Sequence, residues 1–156
     1  MTTEEFEKVI KRHETLKEYS QAFKLCLESL NVPEFRTSAA GTGRRLIKSY
    51  GYDVLEEKGG KRTLTVPLEL NIDWVVDTAI SLGYKSLDRG TLSLGFLSSC
   101  PCVILGSLLA KQRFGIRKNK DNTTSLVFVA ASFASDFKLI NTLCTNIIEQ
   151  LSAKYE

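Results

Sequence analysis

RFGIRKNKDNTTSLVFVAA, residues 113–131, reads as two strands joined by a polar turn. Asn119 to Asn122 supply the side chains that close tight turns on their own backbone. Beyond the turn, Leu126-Val127-Phe128-Val129 is apolar without alternation, which predicts a strand covered on both faces and set in the middle of a sheet. Before it, Phe114 and Ile116 alternate with Arg113, Arg117 and Lys118. A strand of that pattern turns its apolar side chains one way and its bases the other.

Outward from this hairpin, a second one is expected upstream. Tyr52 to Glu57 and Arg62 to Leu68 flank Lys58-Gly59-Gly60-Lys61, and Leu64, Val66 and Leu68 alternate with polar or proline positions. Asn71 can cap a helix from Ile72 to Leu82 that Gly83 stops. Thr91 to Ser98 alternates and reads as a further strand. Pro101 suits a first helical turn, and Cys102 to Ala110 is apolar apart from Ser107, which predicts a central helix from Cys100 to Lys111.

Both ends of the chain read as long helices. Thr2 with Glu5 forms a capping box, and Phe6, Val9, Ile10, His13, Leu16, Phe23, Leu27 and Leu30 recur at helical spacing up to Asn31 and Pro33. Such a length predicts a break between Glu18 and Gln21. Arg44 to Tyr50 reads as a short helix closed by Gly51. At the other end Ser135 caps a helix whose stripe is Ile140, Leu143, Cys144, Ile147 and Leu151.

The fold expected is therefore α+β in one domain over 1–156. An antiparallel sheet of two hairpins, with a fifth strand at 91–98, is covered by the long N- and C-terminal helices. The order helix, hairpin, helix occurs twice, from Leu46 and again from Leu108, which suggests an internal duplication.

Bulk composition narrows the function. The 156 residues are 43% apolar and 25% charged, enough for one core with a solvated surface. No apolar run approaches the roughly 18 residues that cross a bilayer, and acids stand where a secretory leader carries bases, so a cytoplasmic protein is expected. The 21 bases exceed the 18 acids by three, a mild excess for a nucleic-acid binder.

The four cysteines, Cys26, Cys100, Cys102 and Cys144, mostly lie among apolar neighbours and read as buried thiols. Cys100 and Cys102 are the alternative thiol or metal pair, although one proline between them is tighter than zinc spacing and the sole histidine, His13, is remote. His13 has no nucleophile beside it and reads as a packing residue. No cofactor is implied.

Two basic groups are candidate ligand sites. In Ala39-Ala40-Gly41-Thr42-Gly43-Arg44-Arg45, the turn of Gly41 and Gly43 ahead of a helix could hold a phosphate or carboxylate, with Arg44, Arg45 and Lys48 assisting. The second group is Lys111, Arg113, Arg117 and Lys118 in the stretch 111–120, which could meet phosphates or an acidic partner, or could simply guard a sheet edge.

Two resemblances are local. Asn122 to Glu156, with Leu139-Ile140-Asn141 and Cys144, is similar to the closing hairpin and helix of profilin. Gly95 to Ala131 is similar to the helix and hairpin ending of TRAPP-type vesicle-tethering subunits. No site residues follow from either. The reading that results is a small non-catalytic protein-binding or adaptor domain, with self-association as a companion expectation. Nucleic-acid or phosphate binding through the basic groups is the alternative.

Overall fold

The computed structural model describes residues 1–58, 61–67, 70, 72–81, 85–87, 102–106, 113–129 and 137–156. Its helices are α1 (Thr3–Thr15), α2 (Tyr19–Ser29), α3 (Arg36–Tyr50), α4 (Ile72–Ser81) and α5 (Phe137–Tyr155). Its strands are β1 (Glu56–Lys58), β2 (Lys61–Val66), β3 (Lys85–Leu87), β4 (Cys102–Gly106), β5 (Arg113–Lys118) and β6 (Thr124–Val129). The class is α+β. The chain divides into two compact units, Met1–Glu56 with Ile140–Glu156, and Glu57–Leu139.

The first unit is helical. Thr2 accepts the Glu5 N–H at 3.2 Å, so half of the expected capping box is made. The break in the long N-terminal helix falls slightly earlier than expected. Lys17 takes the left-handed conformation (φ 60°). Its N–H reaches Glu14 O at 3.0 Å, and Glu18 N–H reaches His13 O at 2.8 Å. That pairing of carbonyls is a Schellman ending with lysine in the place usually taken by glycine. The far end of α2 is closed by a side chain from outside it, as Arg36 Nε donates to Leu30 O at 2.7 Å.

Phe6, Ile10, Phe23, Leu27, Leu30, Leu46, Ile47, Ile147 and Leu151 fill this unit's core at 2% exposure or less. Phe6 stacks on Phe35 with centroids 5.4 Å apart. All five residues expected to form the α5 stripe are buried. Leu16, expected in the α1 stripe, is 57% exposed, because the break comes before it can turn inward.

α3 begins eight residues before the expected Arg44, so Gly41 and Gly43 lie inside a helix instead of forming a turn. Small residues serve packing here. A Cβ at Gly43 would stand 2.9 Å from Ile148 Cδ1 and 3.7 Å from Cys26 Cβ, whereas one at Gly41 would meet nothing within 4 Å. Gly41→Ala should therefore stabilise the protein by about 0.5–1 kcal/mol through helix propensity. Gly43→Ala should cost about 1 kcal/mol or more, because fully buried Ile148 must yield to the added methyl. Urea midpoints of the two variants moving in opposite directions would check this.

The second unit holds a six-stranded sheet in the order β1-β2-β6-β5-β4-β3. The β5–β6 hairpin forms where the sequence places it, and β6 sits between β2 and β5. Leu126, Val127 and Phe128, on alternate faces, are all 1% exposed or less, as an interior strand requires.

The expected helix from Cys100 to Lys111 is overturned, since Cys102–Gly106 is a strand paired with both β5 and β3. A short apolar run has no period to separate a buried strand from a buried helix, and Val103 and Ile104 are β-branched. Pro101 suits the approach to a strand as well as a first helical turn. The Leu108 to Ala110 stretch on which the helix-hairpin-helix echo begins lies outside the described residues, as does its closing cap at Ser135. The expected fifth strand at 91–98, the caps Asn71 and Ser135, and the Gly83 stop lie outside the described residues.

Candidate functional site

The helical candidate group is divided by its neighbours. Gly41 and Gly43 lie within α3, where the backbone N–H groups are committed to helical bonds, so the anion-holding turn expected there is not formed. Arg44 and Lys48 are exposed one turn apart. Arg45 instead forks onto Glu14 of α1, with Nη1 to Oε2 at 3.0 Å and Nη2 to Oε1 at 2.5 Å. Tyr50 O–H donates to the same carboxylate at 2.7 Å and its ring stacks on Tyr19. The arginine expected to assist a ligand thus joins two helices.

A groove of about 630 Å³ runs between α1 and α3, lined by Glu7, Ile10, Lys11, Glu14, Thr15, Thr42 and Arg45. Its walls carry both signs of charge, so it has no net preference for an anion.

The hydrogen bond from Arg45 holds the Glu14 carboxyl below its usual 4.5 despite partial burial, and the bond to Glu14 raises the Tyr50 hydroxyl. A depressed carboxylate contributes stability that is complete above its unfolded value and is lost as pH falls through its folded one. Acidification from neutral to below 4.5 should therefore cost the wild type more than Glu14→Gln. The difference should be about 1 kcal/mol or less, because solvent screens the half-exposed Arg45. Urea melts of both proteins across that range would measure it.

The thiols Cys26 and Cys144 are buried, free and pushed up to about 12 by desolvation. A thiol so protonated is a packing group and not a nucleophile at neutral pH. Cys102 opens β4 opposite Arg117, and Cys100 lies outside the described residues. His13 is partly buried with Nδ1 3.2 Å from Glu18 Oε1, across the α1–α2 break. Among the described residues no group of three or more His, Cys, Asp or Glu is placed to hold a metal ion. No described helix is long and apolar enough to cross a membrane.

The sheet carries the other group. Arg113, Gly115 and Arg117 occupy alternate positions of β5 and share one face. Lys118 falls with Phe114 and Ile116 on the opposite face, so the sequence reading that put all the bases together is corrected for this residue. Lys111 lies outside the described residues.

Cross-strand pairing extends the arginine face. Arg117 stands beside Ser125 on β6, which stands beside Thr65 on β2, and Gly115 stands beside Val127 and then Thr63. On the other side Arg113 is opposite Gly106 of β4, which is opposite Lys85 of β3. Thr65 is exposed, Thr63 and Arg117 are half-buried, and Gly115 and Val127 are buried. The opposite face is apolar, with Leu64, Val66, Ile116, Leu126 and Phe128 buried.

The turn after β5 fixes Arg117. Its Nε donates to Asn119 Oδ1 at 2.9 Å, while Asn119 Nδ2 donates to Thr123 Oγ1 and Ser125 Oγ, each at 2.9 Å. Thr123 in turn donates from its hydroxyl and its backbone N–H to Asp121, which holds that carboxyl below its usual range. Lys85 was missed in sequence because its place depends on β3–β4 pairing, which no local pattern signals.

No family profile, curated protein or solved structure matches this chain, so neither the profilin nor the TRAPP resemblance gains support.

Proposed function

We propose that the chain is a small non-catalytic protein-binding domain of adaptor type, which recognises an acidic segment of its partner through the arginine face of β5. The observation that carries this is the position of β5 between β4 and β6. Basic residues on an edge strand guard it against unwanted pairing, but an interior strand has no edge to guard. The Asn119 network holds Arg117 in one geometry before any partner arrives, which lowers the ordering cost of binding. The mild net charge of +3 favours an acidic protein segment over a nucleic-acid backbone.

The test is fluorescence anisotropy of a labelled oligoglutamate peptide at low ionic strength. Saturable binding should weaken with added salt and disappear in the double variant Arg113→Glu, Arg117→Glu with its circular dichroism unchanged. A peptide that fails to bind at low salt removes the proposal. A mixed-sequence oligonucleotide that binds more tightly than the peptide replaces it with the nucleic-acid reading.

A further inference from the structure

The groove between α1 and α3 is bounded by side chains that cross from one helix to the other. Ser38 Oγ donates to Glu7 Oε1 at 3.4 Å at one end, and Arg45 forks onto Glu14 at the other. Glu7 and Glu14 are seven residues apart on α1, so the two links stand about 10 Å from each other. Between them lie buried Ile10, exposed Lys11 and half-buried Thr42. Ser38, Gly41, Thr42 and Arg45 follow at three- and four-residue steps on one face of α3. A Cβ at Gly41 would meet nothing within 4 Å, so that face is open there.

Glu7 and Lys11 stand four residues apart in the order that favours pairing along a helix, yet they are not paired. The Glu7 carboxylate is bonded across to α3 instead, through one oxygen, and keeps acceptor capacity to spare. Lys11 enters no ion pair among the described residues. Of the two acids and two bases that line the groove, Glu14 and Arg45 are spent on each other, which leaves one free charge of each sign.

We infer that this groove binds a free α-amino acid as its zwitterion, with Lys11 and the Thr42 hydroxyl taking the carboxylate and Glu7 taking the ammonium group. A ligand of one sign would be attracted by one of the free charges and repelled by the other, whereas a zwitterion satisfies both. Neighbouring positions on a helix have Cβ atoms about 5–6 Å apart, which suits opposite charges carried on a single carbon better than charges at the ends of a long chain. Ile10 gives the site an apolar floor, and the volume of about 630 Å³ is of the size that small-molecule sites have. The site lies within the helical unit and does not depend on the acidic-partner reading.

The experiment titrates L-leucine, N-acetyl-L-leucine and L-leucine amide into the isotope-labelled full chain and follows backbone amide shifts by NMR. L-Leucine should shift the amides of Glu7, Lys11 and Thr42 saturably, with a Kd of about 1 mM or below. Each blocked analogue lacks one charge and should bind about tenfold more weakly or worse, for want of one charge-assisted hydrogen bond. Lys11→Met should weaken L-leucine by about the same factor and leave the amide, which has no carboxylate, unaffected. Glu7→Gln should weaken L-leucine and leave the acetylated analogue unaffected. Both residues are exposed, so the variants should keep the fold, which circular dichroism checks.

Absence of a saturable shift up to about 50 mM L-leucine overturns the site. Equal affinity for the three ligands, or unchanged L-leucine affinity in Lys11→Met, overturns it as well. None of these results bears on oligoglutamate binding at the β5 face.

Discussion

Replacing Phe128 with alanine should lower the free energy of unfolding by about 3–5 kcal/mol. The ring is 1% exposed on the interior strand β6, in register with Arg62 on one side and Phe114 on the other. Truncation removes its transfer free energy and leaves a cavity that paired strands on both sides cannot collapse to fill. A small domain holds about 5–15 kcal/mol in total, so the variant should stand close to the folding limit. Phe128→Leu keeps most of the volume and should cost less than half as much. Urea titration of the three proteins gives the ranking, and a Phe128→Ala midpoint indistinguishable from wild type would remove β6 from the core.

A smaller but chemically sharper loss is expected at Thr124. Its hydroxyl accepts the Leu70 N–H at 2.8 Å, with Thr124 wholly buried and Leu70 2% exposed. Valine has the same shape without the acceptor, so Thr124→Val leaves a buried backbone donor unsatisfied at a cost of about 1–3 kcal/mol. Thr124→Ser keeps the oxygen and should recover most of that difference. Amide exchange at Leu70 should quicken in the valine variant and not in the serine variant, which separates this bond from general loosening of the sheet.

The elements legible in sequence were those with a strong local signal. The β5–β6 hairpin was readable because Asn119 to Asn122 is turn chemistry and the apolar run Leu126 to Val129 follows it closely, opposite an alternating stretch. α5 was readable from its period. The break after α1 was expected from length alone, since Lys17 adopts a left-handed conformation that no glycine advertises. β4 was misread because five apolar residues fit a buried strand or helix equally well. Gly41 and Gly43 suggested a turn, although the second of them answers a helix brought close from nearly the other end of the chain.

The candidate site followed the same division. Arg113 and Arg117 could be paired by strand alternation within a single hairpin. Lys118 went to the wrong face because the strand was expected to crowd all its bases together. The place of Lys85 beside Gly106 depends on pairing between β3 and β4, and the restraint on Arg117 depends on how one turn folds.

The helical unit is assembled from two stretches of chain separated by the whole of 57–139. During translation α1, α2 and α3 therefore leave the ribosome with one apolar side unmet, and the surface around Gly43 and Cys26 stays open until Ile148 has been synthesised. Nascent chains halted anywhere in 57–139 would expose that seam to chaperones. The strand-rich unit, being continuous, has its residues in hand sooner.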